Sequence, residues 1–70
     1  MKHVDITKMH TVYVVVDHED NHRRYEFESE SGARGWKDDL VECFDTNPEN
    51  VSILKQEWDM YGLLVAQRHI

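Results

Sequence analysis

The chain has 70 residues, enough for one domain, and a chain of this length buries only about 60% of its unfolded surface on folding. Hydrophobic residues make up 40% and charged residues 31%, which is typical of a globular domain and not of a disordered segment. The net charge is −6, and residues 26–50 carry all of the excess, with eight acidic side chains against two basic ones. This acidity disfavours direct nucleic-acid binding, whose affinity comes largely from lysine and arginine on phosphates. No apolar run approaches the roughly 20 residues of a membrane span.

Two strand-like runs follow residues 1–9, which are expected to form a short lead-in or an edge strand. The run HTVYVVVD is rich in β-branched and aromatic residues, and its valines at positions 12, 14 and 16 share one face. The run RYEFESE alternates, with Tyr25 and Phe27 on one face. If Asp20 and Asn21 form a two-residue turn, Val16 lies opposite Tyr25. The pattern therefore predicts a β-hairpin whose core face carries these valines and aromatic residues.

The next segment, SESGARGWKDDLVECFDTN, predicts one amphipathic helix. Ser29 or Ser31 can cap its N-terminus. We expect Asn47-Pro48 to end the helix, because the residue before proline avoids the helical region. The acidic side chains fall largely toward solvent. The apolar stripe at helical spacing comprises Ala33, Trp36, Leu40, Cys43 and Phe44.

The last third of the chain is ambiguous. Asn47-Pro48-Glu49 can cap a second helix, or the runs VSILKQEW and LLVAQRHI can form two strands joined through residues 59–62. The strands are favoured and give a single α+β domain over residues 1–70: a four-stranded antiparallel sheet, built as β-hairpin, helix, β-hairpin, with one helix packed on one face. The alternative order is ββααβ. The expected core comprises Val12, Val14, Val16, Tyr25, Phe27, Trp36, Leu40, Phe44, Ile53 or Leu54, and Val65.

One short motif, HEDNH at residues 18–22, resembles the H-E-x-x-H signature of the zincin metalloproteases over five residues. In that family the motif lies on a helix, so that the two histidines bind zinc and the glutamate activates water. Here both flanks are strand-like, and Asp20 and Arg23 stand where zincins usually carry uncharged residues. In the predicted hairpin, His18 and His22 lie on opposite sides and cannot chelate one ion. We therefore expect a polar turn, with no metal ion and no cofactor.

Two other groupings have both a catalytic and a structural interpretation. The run HRRY at residues 22–25 contains side chains that small ribonuclease toxins use, but such toxins are usually basic and this chain is acidic. We therefore expect Arg23 and Arg24 to pair with neighbouring carboxylates. A catalytic cysteine needs a base that keeps it as a thiolate. Cys43 falls beside Leu40 and Phe44, so we expect a buried, inert thiol. As the only cysteine it also favours a reducing, cytoplasmic compartment. The sequence therefore predicts a protein that is not an enzyme.

The carboxylates of the middle third are the main candidate for a functional surface. Regularly spaced carboxylates can imitate a row of phosphates and occupy a basic groove on another protein, while electrostatic attraction speeds association. The alternative is a solvated face that only favours solubility. Trp58 and Tyr61 either close one end of the core or form an exposed hot spot for a protein partner. The predicted partner-binding residues are Glu26, Glu28, Glu30, Asp38, Asp39, Glu42 and Asp45.

In size and acidity the chain resembles the small α+β proteins that bacteriophages use to block host enzymes, anti-CRISPR proteins among them. The resemblance implies a non-enzymatic protein-binding module that inhibits a nucleic-acid-handling enzyme, whose basic surface meets the carboxylates. The alternative is an antitoxin-like or regulatory partner that forms a homodimer through a free sheet edge. Both interpretations predict a protein partner with no direct contact to nucleic acid or membrane.

Overall fold

A computed structural model describes residues 10–70, so the prediction for residues 1–9 lies outside the described part. The described chain forms strand β1 (His10–Asp17), strand β2 (Arg23–Phe27), helix α1 (Glu30–Cys43), a 3-10 helix (Pro48–Asn50), strand β3 (Val51–Trp58) and strand β4 (Leu64–His69). The strands form one antiparallel sheet in the order β2-β1-β3-β4. The predicted α+β class with two hairpins around one helix is confirmed, and residues 51–58 are a strand.

The turn between β1 and β2 is longer than the predicted two residues. The strands separate after residue 17 and rejoin at residue 23, so five residues form the turn. Asn21 and His22 both have a positive φ, 54° and 57°, and these left-handed residues reverse the chain. Val15, and not Val16, therefore lies opposite Tyr25. Because side chains alternate along a strand, this shift of one residue moves a whole row of side chains to the other face of the sheet.

Apolar side chains consequently cover both faces of the central strand pair. On the face opposite α1, Val14, Val16 and Leu54 are buried and Val12 packs against them. The prediction that the even-numbered valines share one core with the aromatic residues of β2 is therefore wrong. The main core lies under α1 and comprises Val15, Ala33, Leu40, Val51 and Ile53, with the half-buried Tyr13, Tyr25, Phe27 and Trp36 packed against it.

Helix α1 begins and ends at local signals. The Ser29 backbone is extended, and its Oγ accepts a hydrogen bond of 3.1 Å from the N–H of Gly32, as an N-cap does. The helix ends at Cys43, ahead of the predicted Asn47-Pro48, because Asp45 has a left-handed φ of 57°. Pro48 instead opens the 3-10 helix. Within residues 10–70, no helix is long and apolar enough to cross a membrane.

Three residues predicted to be buried are exposed. Phe44 is the cap residue of α1 and is 64% exposed. Cys43 is the last residue of the helix and is exposed, because it lies to one side of the buried stripe that contains Ala33 and Leu40. Val65 is 57% exposed, because β4 is an edge strand and α1 packs mainly against the other three strands. The predicted buried thiol and the predicted core positions at Phe44 and Val65 are therefore wrong.

Candidate functional site

The turn between β1 and β2 brings the two histidines of the HEDNH motif together. Nδ1 of His18 lies 2.8 Å from Nδ1 of His22, and Nε2 of His18 lies 3.0 Å from Oγ of Ser52. The prediction that the two rings lie on opposite sides of the hairpin is therefore wrong. The left-handed backbone at residues 21 and 22 folds the second ring back toward the first.

The geometry of the histidine pair is that of a hydrogen bond. The ring centroids are 5.0 Å apart, which is close to the sum of the Nδ1–Nδ1 distance and the two ring radii. The two nitrogens therefore point at each other, at a separation suited to one donor and one acceptor. To chelate one metal ion, the lone pairs of the two nitrogens would instead have to point at a common position beside the line that joins the nitrogens. Among residues 10–70, no group of three or more histidine, cysteine or acidic side chains is placed to hold a metal ion.

Glu19, the acidic residue of the motif, ties the turn to the segment before β3. Its Oε2 accepts hydrogen bonds from the backbone N–H of Asn47 at 2.8 Å and from Nδ2 of Asn50 at 2.9 Å. The Asn50 amide, followed by the Asn47 N–H, holds the pKa of the Glu19 carboxyl below its usual range, because both bonds favour the ionised form. Within this turn, therefore, Glu19 anchors the chain to the segment before β3 and the two histidines of the motif pair with each other.

A cleft of about 510 Å³ lies between this turn and the C-terminal half of α1. We call it the acidic cleft. Three aromatic rings line it in series, with the centroids of Tyr25 and Trp36 5.1 Å apart and those of Trp36 and Phe44 6.2 Å apart. The remaining lining residues are Asp17, Glu19, Asp20, Arg23, Leu40 and Thr46.

Three carboxylates and one guanidinium give the acidic cleft a negative balance. Asp17 is only 5% exposed, and its Oδ1 accepts the N–H of Glu19 at 3.0 Å. The guanidinium of Arg23 lies 5.3 Å from the centre of the Tyr25 ring and 3.7 Å from the carboxylate of Asp20. Both side chains of that ion pair are more than half exposed, so the pair adds little stability.

The predicted partner-binding carboxylates divide between two sides of the molecule. Asp38, Asp39 and Glu42 are exposed on the side of α1 that faces away from the sheet, and we call these three residues the helix face. Glu26 lies beside Val14 in the sheet, and therefore on the sheet face opposite α1. The seven predicted residues thus do not form one continuous surface.

The other predicted carboxylates lie at the ends of α1. Glu28 precedes the helix, and Glu30 in its first turn forms an ion pair of 2.8 Å with Arg34. Asp45 follows the helix in its left-handed conformation. Within residues 10–70, no carboxylate of the helix face forms an ion pair. The helix face is therefore the group of predicted residues whose charges are directed at solvent.

Sequence reasoning missed the extent of a third surface, at β4. All six residues of this edge strand are exposed, and the turn before it is held by Asp59, whose Oδ1 accepts the N–H groups of Tyr61 and Leu63. Tyr61 is exposed, and Trp58 is half-buried. The run LLVA carries no charge that would mark an edge strand, which is why alternation alone assigns it to the core. The exposed apolar residues of this surface, which we call the β4 edge, are Met60, Tyr61, Leu63, Leu64, Val65 and Ile70.

Comparison with known proteins finds no match to this chain among protein-family models, curated proteins or solved structures. The described residues present three surfaces whose chemistry bears on function: the helix face, the acidic cleft and the β4 edge.

Proposed function

We propose that the protein is a small non-enzymatic binding module that inhibits a nucleic-acid-handling enzyme by placing its helix face against the enzyme's basic groove. The observation that carries this proposal is the arrangement of Asp38, Asp39 and Glu42 on one exposed side of α1. Residues three and four apart are neighbours on a helix surface, so these carboxylates form a compact row. A row of negative charges is also the feature by which a nucleic-acid backbone attracts basic proteins.

The charge distribution supports an electrostatic mode of binding. Residues 26–50 hold the whole excess of negative charge, and residues 38–43 of α1 carry three carboxylates and no basic side chain, so negative charge is concentrated on that half of the helix. Such a field speeds encounter with a basic surface, and salt screens it. The exposed free thiol of Cys43 suits a reducing compartment, and we place the protein in the cytoplasm on that ground.

The experiment compares capture of host proteins by the wild-type chain and by a helix-face variant. The variant carries Asp38→Asn, Asp39→Asn and Glu42→Gln, which remove three charges and keep the shape of each side chain. Proteins captured from a host lysate are identified by mass spectrometry, and the enzyme found is then titrated at several salt concentrations. We expect the variant to bind at least about tenfold more weakly, and the wild-type affinity to fall steeply with salt.

A matched control separates the helix face from net charge alone. Glu26→Gln, Glu49→Gln and Glu57→Gln also remove three carboxylates, all outside α1. We expect this control to retain most of the affinity and the inhibition of the captured enzyme. Equal binding by the helix-face variant and the wild type would refute the proposal, and an equal loss in both variants would reduce it to non-specific charge attraction.

A second candidate function, an antitoxin-like or regulatory protein that acts as a homodimer, is favoured by the β4 edge. The edge strand β2 carries the charged residues Arg23, Arg24 and Glu26, and charged side chains protect a sheet edge from pairing. The opposite edge, β4, carries one charged residue, Arg68, near its end, and its first half presents Leu64, Val65 and Ala66 without such protection. Antiparallel pairing of two β4 strands about a two-fold axis would cover this edge in both copies.

Light scattering on a size-exclusion column tests the dimer across micromolar concentrations. We expect a mass of two chains for the wild type and of one chain for Val65→Lys, because a lysine on the edge strand opposes pairing. Gly35→Lys is the matched control, since it adds the same charge on α1, where a side chain meets open space. A wild-type mass of one chain at every concentration counts against this second function.

A further inference from the structure

The residues that line the acidic cleft carry more negative than positive charge. Asp17, Glu19 and Asp20 contribute three carboxylates, and Arg23 is the one lysine or arginine in the lining. That guanidinium lies over the ring of Tyr25 and 3.7 Å from the carboxylate of Asp20, so Asp17 and Glu19 have no basic partner in the lining. The cleft is therefore complementary to one further cationic group.

The end of helix α1 adds to the same negative charge. Leu40 in the last turn and the cap residue Phe44 both line the cleft, so the C-terminus of the helix is at its wall. A helix C-terminus carries about half a negative charge, which favours lysine, arginine or histidine nearby. The last turn of α1 contains no basic residue. A cation from a binding partner could therefore interact with this end of the helix, as a basic side chain in the last turn would.

The aromatic lining selects the kind of cation. Trp36 and Phe44 present ring surface in the cleft, and a cation is attracted to the face of such rings. A guanidinium is planar, stacks on aromatic faces and pairs with carboxylates through a fork of N–H groups. Since no three acidic side chains within residues 10–70 converge as metal ligands do, the cleft suits an extended planar ion better than a metal ion.

Trp36, whose ring is half-buried beside the cleft, has one polar atom without a partner among residues 10–70. Its Nε1–H is buried and has no hydrogen-bond partner within the described residues. A buried donor without an acceptor is unusual, since the large majority of buried polar groups are paired. A peptide that carries an arginine brings a cation, and also main-chain carbonyl acceptors, to the wall of the cleft that Trp36 lines.

From these observations we propose that the acidic cleft binds an arginine side chain of the protein partner, at a site separate from the helix face. The carboxylates of the cleft pair with the guanidinium, Trp36 and Phe44 pack against its plane, and the C-terminus of α1 favours its charge. This inference rests on the proposed function, because it assumes that the partner is a basic protein.

The experiment uses N-acetyl-arginine amide as the probe and the neutral, similarly shaped N-acetyl-citrulline amide as its control. Binding is followed by ¹H–¹⁵N NMR of the full chain, in which the indole N–H of Trp36 reports on the cleft and that of Trp58 on a distant site. We expect saturable shifts at Trp36 and at the backbone N–H of Glu19 with the arginine derivative alone. Shifts of equal size with citrulline, or arginine shifts that are absent from these two signals, would overturn the proposal.

Two variants with one charge removed locate the site. Asp20→Asn removes a carboxylate of the cleft and should weaken probe binding about two- to fivefold, the effect of losing one exposed charge pair. Asp38→Asn makes the same change on the helix face and should leave probe binding unchanged. An equal loss in both variants would show general charge attraction and overturn the site. The amide spectrum of each variant establishes that it is folded.

The failure of this inference can be told from the failure of the proposed function. If the helix-face variant loses the captured enzyme but still binds the arginine probe, both proposals stand as separate sites. If the wild type binds no probe while capture still depends on the helix face, only the cleft proposal fails. If the probe binds but capture does not depend on the helix face, only the proposed function fails.

Discussion

Replacing Leu40 by alanine tests how helix α1 is held on the sheet. Leu40 is 4% exposed and belongs to the main core. It is the larger of the two buried side chains of α1, the other being Ala33. The substitution removes three carbon atoms at about 0.8 kcal/mol each, or about 2.4 kcal/mol of transfer free energy. The void that remains adds to this cost, and measured costs for such substitutions in cores are about 2–5 kcal/mol. Because Leu40 also lines the acidic cleft, water or neighbouring side chains can enter part of that void. We therefore expect a loss of about 2.5–3.5 kcal/mol.

This loss is a large fraction of the stability that a domain of this size can have. At about 0.05–0.15 kcal/mol per residue, a chain of 70 residues unfolds with a free energy of about 4–10 kcal/mol. Urea unfolding followed by far-UV circular dichroism measures the change. With a slope of about 1 kcal/mol per molar urea, the midpoint of Leu40→Ala should fall by about 3 M.

Val65→Ala is the control for this prediction. Val65 is 57% exposed on β4, so its truncation should change the free energy of unfolding by no more than about 0.5 kcal/mol. Both variants are measured at low and high protein concentration, because pairing through the β4 edge would add a concentration dependence. If Val65→Ala cost as much as Leu40→Ala at low concentration, β4 would be covered within one chain and the described packing would be refuted.

Two further predictions concern local hydrogen bonds. Ser29→Ala removes the N-cap bond to Gly32 and should lower the free energy of unfolding by about 0.5–2 kcal/mol. Ser29→Asp should retain most of the wild-type stability, because aspartate also caps helices. Equal urea midpoints for the wild type and Ser29→Ala would contradict the cap. Glu19→Gln should flatten the pH dependence of stability. The folded-state pKa of Glu19 is lowered, so its contribution is present above the usual carboxyl pKa and is lost as pH falls through the lowered value. Urea midpoints from neutral pH to about pH 3 should therefore fall less for the variant than for the wild type, and parallel curves would argue against the Asn47 and Asn50 contacts.

The strands, the helix and their order follow from the period of apolar residues, but the register of the first hairpin does not. Residues 12–16 of β1 are apolar at odd and even positions alike, so alternation does not identify the face that meets α1. The length of the turn decides it, and that length depends on His22 taking a left-handed backbone directly after Asn21. Such a conformation is uncommon for any residue except glycine, and nothing in the local pattern distinguishes five turn residues from two.

The same limit applies to the candidate sites. The helical period places Asp38, Asp39 and Glu42 on the solvent side of α1, where the structure has them. The acidic cleft joins residues of the first hairpin to the far end of α1, and such a contact between distant segments leaves no spacing signal in the chain. The pairing of His18 with His22 could not be predicted either, because it depends on the same left-handed turn that sets the register.

The separation of charge along the chain makes the two candidate functions compatible. Residues 51–70 carry two acidic and two basic side chains, so β3 and β4 form the region where two copies can approach without strong repulsion. The helix face belongs to the acidic middle third, and α1 packs mainly over the other strands. A dimer through β4 would thus leave the helix face and the acidic cleft open in each copy. It follows that Val65→Lys, as a monomer, should bind the arginine probe with unchanged affinity per chain. A loss of binding would show that the cleft binds the probe only in the dimer.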